Sequence, residues 1–136
     1  MISRLWRHVF LLSMFAAVGA ANAQTPTTSN SELPRFLVYF DEFSANLSAE
    51  AKSVIADAAK RAKETGAKGI VVQARASATG TAETNKYLAQ TRSSIVTDQL
   101  EEDGIARTLI RQEPIGQTGS SDPTVYNRRV DIILQR

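Results

Sequence analysis

Residues 69–100 read GIVVQARASATGTAETNKYLAQTRSSIVTDQL. The apolar start of this stretch is typical of a strand, and a small polar turn follows around Ser77, Thr79 and Gly80. Apolar residues then recur at helical spacing, with Arg92 in the middle of their stripe. A buried guanidinium without acceptors costs roughly several kcal/mol. The stretch therefore predicts a strand, a turn and a helix, with Arg92 either paired inside the fold or facing an anionic ligand at the turn.

Elements of the same kinds are predicted on both sides of this stretch. One helix is capped by Ser48 and ended by Gly66, and the other is capped by Thr81 or Thr84 and runs to about Asp103. Four strands are predicted at residues 34–40, 70–76, 109–113 and 130–134, the third ended by Pro114. The first is apolar on both faces, which predicts a central or well-covered strand. The order β-α-β-α-β-β predicts one small α+β domain, a mixed four-stranded sheet with helices packed on one face.

The N-terminal segment has the plan of a secretory signal peptide. Residues 1–23 combine a basic start, a short apolar run and an Ala-x-Ala site. The run is shorter than the roughly 20 residues of a membrane span, so a retained anchor is the less favoured alternative and no transmembrane segment is expected after cleavage. Residues 24–33 are small and polar, which predicts a flexible lead-in to a domain at 34–136. The protein is thus predicted to be secreted.

Composition excludes several classes of function. The formal net charge of +2 comes from Arg4 and Arg7, so the mature chain would be neutral and no nucleic-acid partner is expected. The chain has no Cys, and its single His lies in the predicted signal peptide, which argues against thiolate or His-assisted catalysis and against a zinc or copper site. Asp41 and Glu42 are adjacent acids, and neighbouring strand residues point to opposite sides, so they do not resemble a hydrolase pair. We expect no enzyme activity and no cofactor.

Four short motifs in order resemble one known family, the OmpA-like C-terminal domain. The motifs are the strand end and capped helix at residues 39–48, the helix pattern Asn85, Leu88, Arg92, Val96 and Leu100, the turn Gly104-Ile105, and Asn-Arg-Arg-Val-Asp-Ile at 127–132. The last is the most specific of the four. The resemblance extends over nearly all of the predicted mature chain, and it implies the same fold as the element order.

The resemblance also implies a function and a site. Members of this family bind peptidoglycan without cutting it, and they attach envelope proteins to the cell wall from the periplasm or the outer membrane. Their ligand is the diaminopimelate of the stem peptide, whose carboxylate pairs with an Arg and whose ammonium pairs with an Asp. The Arg falls on Arg92, the Asp falls on Ser77, and Arg75 takes the aromatic or His position. Asn46, Asn85 and Arg128 are the other predicted ligand contacts.

The binding turn departs from the family pattern. Ser77 supplies no charge, Arg75 adds positive charge, and the acid and Phe at residues 42–43 are in swapped order. Glu83 and Asp122, from neighbouring loops, are the candidates to replace the missing acid. This leaves open a weakened wall site, a site for another anionic wall group, or an adaptor for other envelope proteins whose pocket has lapsed.

Structural roles for the same residues remain open alternatives. Arg92 could bridge Asp131 or Asp98 inside the fold. Asn46 and Asn85 could hold their loops by local hydrogen bonds. Of Arg128 and Arg129, one is expected to face solvent as an edge-strand charge and the other to border the pocket.

Overall fold

Two helices and four strands form the part of the chain that the computed structural model describes, residues 34–77, 79–117 and 127–136. In chain order the elements are β1 (Arg35–Tyr39), α1 (Ala49–Thr65), β2 (Gly69–Ala76), α2 (Ala82–Glu102), a 3-10 turn (Arg107–Leu109), β3 (Ile110–Gln117) and β4 (Arg129–Gln135). The predicted signal peptide at 1–23, the lead-in at 24–33 and Asp122 lie outside the described residues. No helix within the described ranges is long and apolar enough to cross a membrane.

The strand order β1-β4-β2-β3 confirms the predicted mixed sheet. β4 pairs antiparallel with β1 and β2, and β3 pairs parallel with β2. The prediction that the first strand is central or well covered is wrong on both counts, because β1 lies at an edge and only one of its five residues is buried. Val38 of β1 is buried while Tyr39 is 38% exposed. An apolar run reports which faces are covered and not how many neighbours pair with its backbone, so the sequence did not distinguish an edge from the centre.

Both helices pack on one face of the sheet, as predicted. Alternate residues of the two central strands enter the core, including Val72 of β2 and its partner Ile132 of β4. α1 contributes a row of small residues to the same core: Ala51, Ala58, Ala59 and Ala62. Small side chains let the helix axis approach the sheet closely.

Local hydrogen bonds fix the helix ends where the sequence placed them. Ser48 Oγ accepts from the Ala51 N–H at 3.0 Å, and Gly66 ends α1 with a φ of 61°. Of the two caps proposed for α2, Thr81 is the one used, since its hydroxyl accepts from the Thr84 N–H at 3.1 Å. α2 ends at Glu102, close to the predicted end.

The third strand runs further than predicted. β3 continues through Pro114 to Gln117, and a register shift lies opposite it between Ala74 and Arg75 of β2. β3 is an edge strand, so the missing N–H of a proline can face away from the sheet without loss of a ladder hydrogen bond. The prediction that Pro114 ends the strand is therefore wrong.

This topology brings three chain segments together. β1 and β2 both run antiparallel to β4. Their carboxyl ends therefore lie beside the start of β4, at the same end of the strands. The β1–α1 loop, the β2–α2 turn and Arg128 therefore lie at the same end of the molecule.

Candidate functional site

Arg92 lies at this end of the sheet, between the β1–α1 loop and the end of β2. Its side chain is 0% exposed, although an arginine seldom lies fully buried without partners. Nε donates to the Ser44 carbonyl at 2.8 Å, one terminal nitrogen to the Asp41 carbonyl at 2.9 Å, and the other to the Arg75 carbonyl at 3.2 Å. The guanidinium carbon also lies 5.0 Å from the centre of the Phe40 ring. Arg92 thus ties the β1–α1 loop to the end of β2.

No carboxylate neutralises Arg92 among the described residues. The expected alternative of a bridge to Asp131 or Asp98 is wrong, because Arg35 and Arg129 pair with the first and Arg107 pairs with the second. Burial of the guanidinium, and then its repulsion from Arg128, lower the pKa of Arg92 to about 10.

The lowered pKa has a direct meaning for ligand binding. Because the pKa of Arg92 is lower in the folded protein than in the unfolded chain, its charged form opposes folding at neutral pH. That cost is relieved only above about pH 10. A nearby anion would favour the charged form instead. Arg92 is therefore a cation held by carbonyl dipoles and the Phe40 ring, with no carboxylate partner among the described residues.

Ser77 and Asn85 hold the β2–α2 turn together. Ser77 is 6% exposed, its oxygen accepts from the Thr79 N–H at 3.2 Å, and it shares a second hydrogen bond with the Thr79 hydroxyl. Asn85 is 1% exposed and donates to the Thr79 carbonyl at 3.0 Å. The local role expected for Asn85 is thus confirmed. The Thr79 hydroxyl also reaches Oε1 of Glu42 at 3.4 Å, which joins this turn to the β1–α1 loop.

Arg75 is half-buried beside the same turn. One of its terminal nitrogens donates to Gln73 Oε1 at 3.1 Å, and its Nε is buried without a hydrogen-bond partner in the described part of the chain. Gln73 in turn donates to Glu113 Oε2 at 3.3 Å. The Arg75 side chain is therefore joined to β3 through Gln73, while its carbonyl receives Arg92.

Arg128 and Asn46 lie on the other side of the β1–α1 loop. They line a groove of about 420 Å³ together with Tyr39, Phe40, Asp41, Leu47, Ser48 and Glu50. Arg128 is half-buried and its Nε donates to the Phe40 carbonyl at 3.3 Å. Asn46 is exposed, and its backbone N–H donates to Ser44 Oγ at 3.1 Å.

The edge-strand role expected for Arg128 or Arg129 is wrong. Arg129 opens the central strand β4, and its Nε donates to Asp131 at 2.7 Å. The insertion of the last strand between the first two depends on long-range pairing, which no local sequence pattern indicated.

The six predicted site residues thus fall into two adjacent groups. Arg92, Ser77, Arg75 and Asn85 surround the β2–α2 turn, and Arg128 and Asn46 border the groove. Across the described ranges, no group of three or more His, Asp or Glu side chains could hold a metal ion.

The shape of the β1–α1 loop was not predicted from the sequence. The Ser44 N–H donates to the Asp41 carbonyl at 3.2 Å, which closes a turn over residues 41–44. Phe43 has a φ of 54° in this turn and is 63% exposed. A positive φ is uncommon for a bulky residue and costs about 1–3 kcal/mol. The swapped order of the acid and Phe at residues 42–43 could have indicated this strained turn, since it places an aromatic residue at the third turn position, where Gly or Asn is favoured.

We expect Phe43→Asn to raise the free energy of unfolding by about 0.5–1 kcal/mol, because Asn tolerates a positive φ better than Phe. Urea denaturation measures the change. Phe43→Ala is the matched control, since it removes the ring but keeps the Cβ that opposes this φ, and it should give no gain. A loss of stability in Phe43→Asn would show that ring packing beside Gly80 outweighs the strain.

Comparison with known proteins identifies the family of this chain. The sequence profile of the OmpA family matches residues 39–129, about two thirds of the chain. No curated protein sequence is similar enough to count as a relative.

Three solved structures illustrate the shared fold. The OmpA-like domain of FopA1 from Francisella tularensis has 21% identity and a TM-score of 0.64, with 74% of this chain and 73% of that chain covered. The peptidoglycan-associated lipoprotein from Burkholderia pseudomallei has 24% identity and a TM-score of 0.65, with 74% and 90% covered. The periplasmic domain of Helicobacter pylori MotB has 17% identity and a TM-score of 0.64, with 78% of each chain covered. On the family match and the shared fold together, the chain belongs to the OmpA family.

Proposed function

We propose that this protein is a non-catalytic peptidoglycan-binding module of the bacterial envelope, located in the periplasm at the cell wall or the outer membrane. Its family supports this proposal, as does its likeness to a protein described as peptidoglycan-associated. The observation that carries the proposal is Arg92, a buried cation without a carboxylate partner among the described residues, with Arg128 close enough to lower its pKa.

Arg92 is the proposed contact for a carboxylate of the stem peptide. A guanidinium has five N–H groups, and three of those of Arg92 donate to carbonyls. Each terminal nitrogen therefore has one further N–H, the pair that a carboxylate can engage with both oxygens. Since Arg92 is 0% exposed, the 41–44 turn, which supplies two of its three carbonyls, must shift to admit a ligand. This turn contains the exposed and strained Phe43, and backbone strain of this kind is often found in segments that close on a ligand.

A second candidate is an adaptor that binds another envelope protein. The full burial of Arg92 and the internal hydrogen bonds of Ser77 favour this candidate, because they leave the pocket closed. The exposed ring of Phe43 would then be part of the contact surface, since aromatic residues are enriched in protein interfaces.

Sedimentation with purified wall sacculi tests the first proposal. The chain without residues 1–23 should sediment with sacculi, and raised salt should release it, since the attraction is between charges. Arg92→Lys should reduce sedimentation about tenfold, because a lysine cannot engage a carboxylate with two parallel N–H groups. Arg107→Lys is the matched control, an exposed arginine paired with Asp98 and Glu101, and it should sediment like the parent.

Two outcomes separate the candidates. If neither the parent chain nor Ser77→Asp sediments, wall binding through this site is wrong. Crosslinking in cells then tests the adaptor, which should capture a defined protein partner to the same extent in the parent chain and in Arg92→Lys.

A further inference from the structure

Glu42 is an acidic side chain at the site to which sequence reasoning gave no binding role. It is exposed, and its Oε1 accepts from the Thr79 hydroxyl at 3.4 Å. The same hydroxyl is hydrogen-bonded to Ser77. A line of hydrogen bonds thus connects the Glu42 carboxylate to the position where the family's acid is missing. In the described part of the chain, Glu42 forms no ion pair, so its charge is not neutralised.

The turn that carries Glu42 is also the turn that contacts Arg92. Glu42 is the second residue of the 41–44 turn, and the first and last residues of that turn give their carbonyls to Arg92. The positive φ of Phe43 shapes this turn. Glu42 and Arg92 do not pair with each other, although a single four-residue turn connects them. The turn therefore carries one acid without an ion-pair partner, Glu42, and accepts two hydrogen bonds from a buried cation without a carboxylate partner, Arg92, among the described residues.

We propose that Glu42 supplies the negative charge that Ser77 lacks, and that it binds the ammonium of the same amino-carboxylate group whose carboxylate is bound by Arg92. This inference rests on the proposed wall-binding function, and it makes Glu42 a specificity-determining residue of that site. Thr79 donates to one carboxylate oxygen and so orients the group, which leaves the other oxygen to accept from the ligand. Glu83 is the rival acid among the described residues, and no described hydrogen bond connects it to Ser77 or Thr79.

Isothermal titration with a soluble stem peptide that ends in diaminopimelate tests the inference. Glu42→Gln should weaken binding roughly tenfold, the effect of losing one charge-assisted contact at an exposed position. Adding Ser77→Asp to Glu42→Gln should restore most of the affinity, because it returns the charge through the other loop. The same peptide with its free amine acetylated should bind the parent chain and Glu42→Gln equally.

Two matched variants and the parent chain make the result decisive. Glu83→Gln removes the rival acid, and Asp57→Asn removes an exposed acid from the outer face of α1; neither should change affinity. Unchanged binding in Glu42→Gln, or an equal loss in Glu83→Gln, would overturn the inference while leaving wall binding intact. If the parent chain binds neither this peptide nor sacculi, the proposed function fails, and the inference fails with it.

Discussion

Replacing Arg92 with alanine is expected to lower the free energy of unfolding by about 3–5 kcal/mol, the largest effect of any single change at this site. The substitution removes three hydrogen bonds and leaves the carbonyls of Asp41, Ser44 and Arg75 without this donor. It also opens a cavity where the guanidinium contacts the Phe40 ring. The gain from no longer burying a cation offsets only part of this loss, because the Ser44 and Arg75 carbonyls lose this donor, while the Asp41 carbonyl keeps its hydrogen bond from the Ser44 N–H.

Denaturant unfolding with an unchanged m-value is the appropriate measurement. The free energy of unfolding of Arg92→Lys should lie between those of the parent chain and Arg92→Ala, since an ammonium can donate to some of the carbonyls but cannot reach all three. Arg107→Ala is the control, because Arg107 has two carboxylate partners but is half-exposed, and such pairs contribute little. A loss below about 1 kcal/mol in Arg92→Ala would mean that the three carbonyls are readily satisfied by water, and that Arg92 is retained mainly for its ligand.

A loss of stability in Arg92→Ala would also affect its binding. An Arg92→Ala protein that fails to bind the wall could have lost its β1–α1 loop and not merely a ligand contact. The variants Glu42→Gln and Ser77→Asp avoid this difficulty, because they change charge at the site without removing the arginine that holds the loop.

Replacing Asp131 with asparagine is expected to cost about 2–4 kcal/mol of stability. Asp131 lies in the central strand β4, is 0% exposed, and accepts from Arg129 Nε at 2.7 Å and from Arg35 at 3.1 Å. Asparagine keeps the size of the side chain but supplies no charge to the two arginines, and its amide must find an acceptor in the same buried space.

Asp98→Asn is the matched control for Asp131→Asn. Asp98 also pairs with an arginine at 3.0 Å, but its side chain is 65% exposed, so thermal or urea unfolding should show little change. Arg35→Gln should cost less than Asp131→Asn, since Arg35 is 52% exposed and water can replace it. Equal small losses in both aspartate variants would show that Asp131 is hydrated when charged, contrary to its burial.

Local sequence signals predicted the elements well. Ser48, Gly66 and Thr81 act within one turn of the chain, so their side chains or φ angles decide the helix ends without reference to the rest of the fold. The alternation of apolar residues likewise decides which face of a strand is buried. Strand position was not predictable in the same way. β1 proved to be an edge strand and β3 continued through Pro114, since both depend on which strands lie alongside.

The sequence by itself determined the element order, the helix caps, the family and the importance of Arg92, because each depends on short-range pattern or on motifs in the chain. Only the tertiary structure decided what Arg92 contacts. Its partners are backbone carbonyls, which every residue carries, so no residue type could reveal them. The position of Glu42 was equally unpredictable. The hydrogen bonds from Glu42 through Thr79 to Ser77 join residues that are separated in the chain by a helix and a strand.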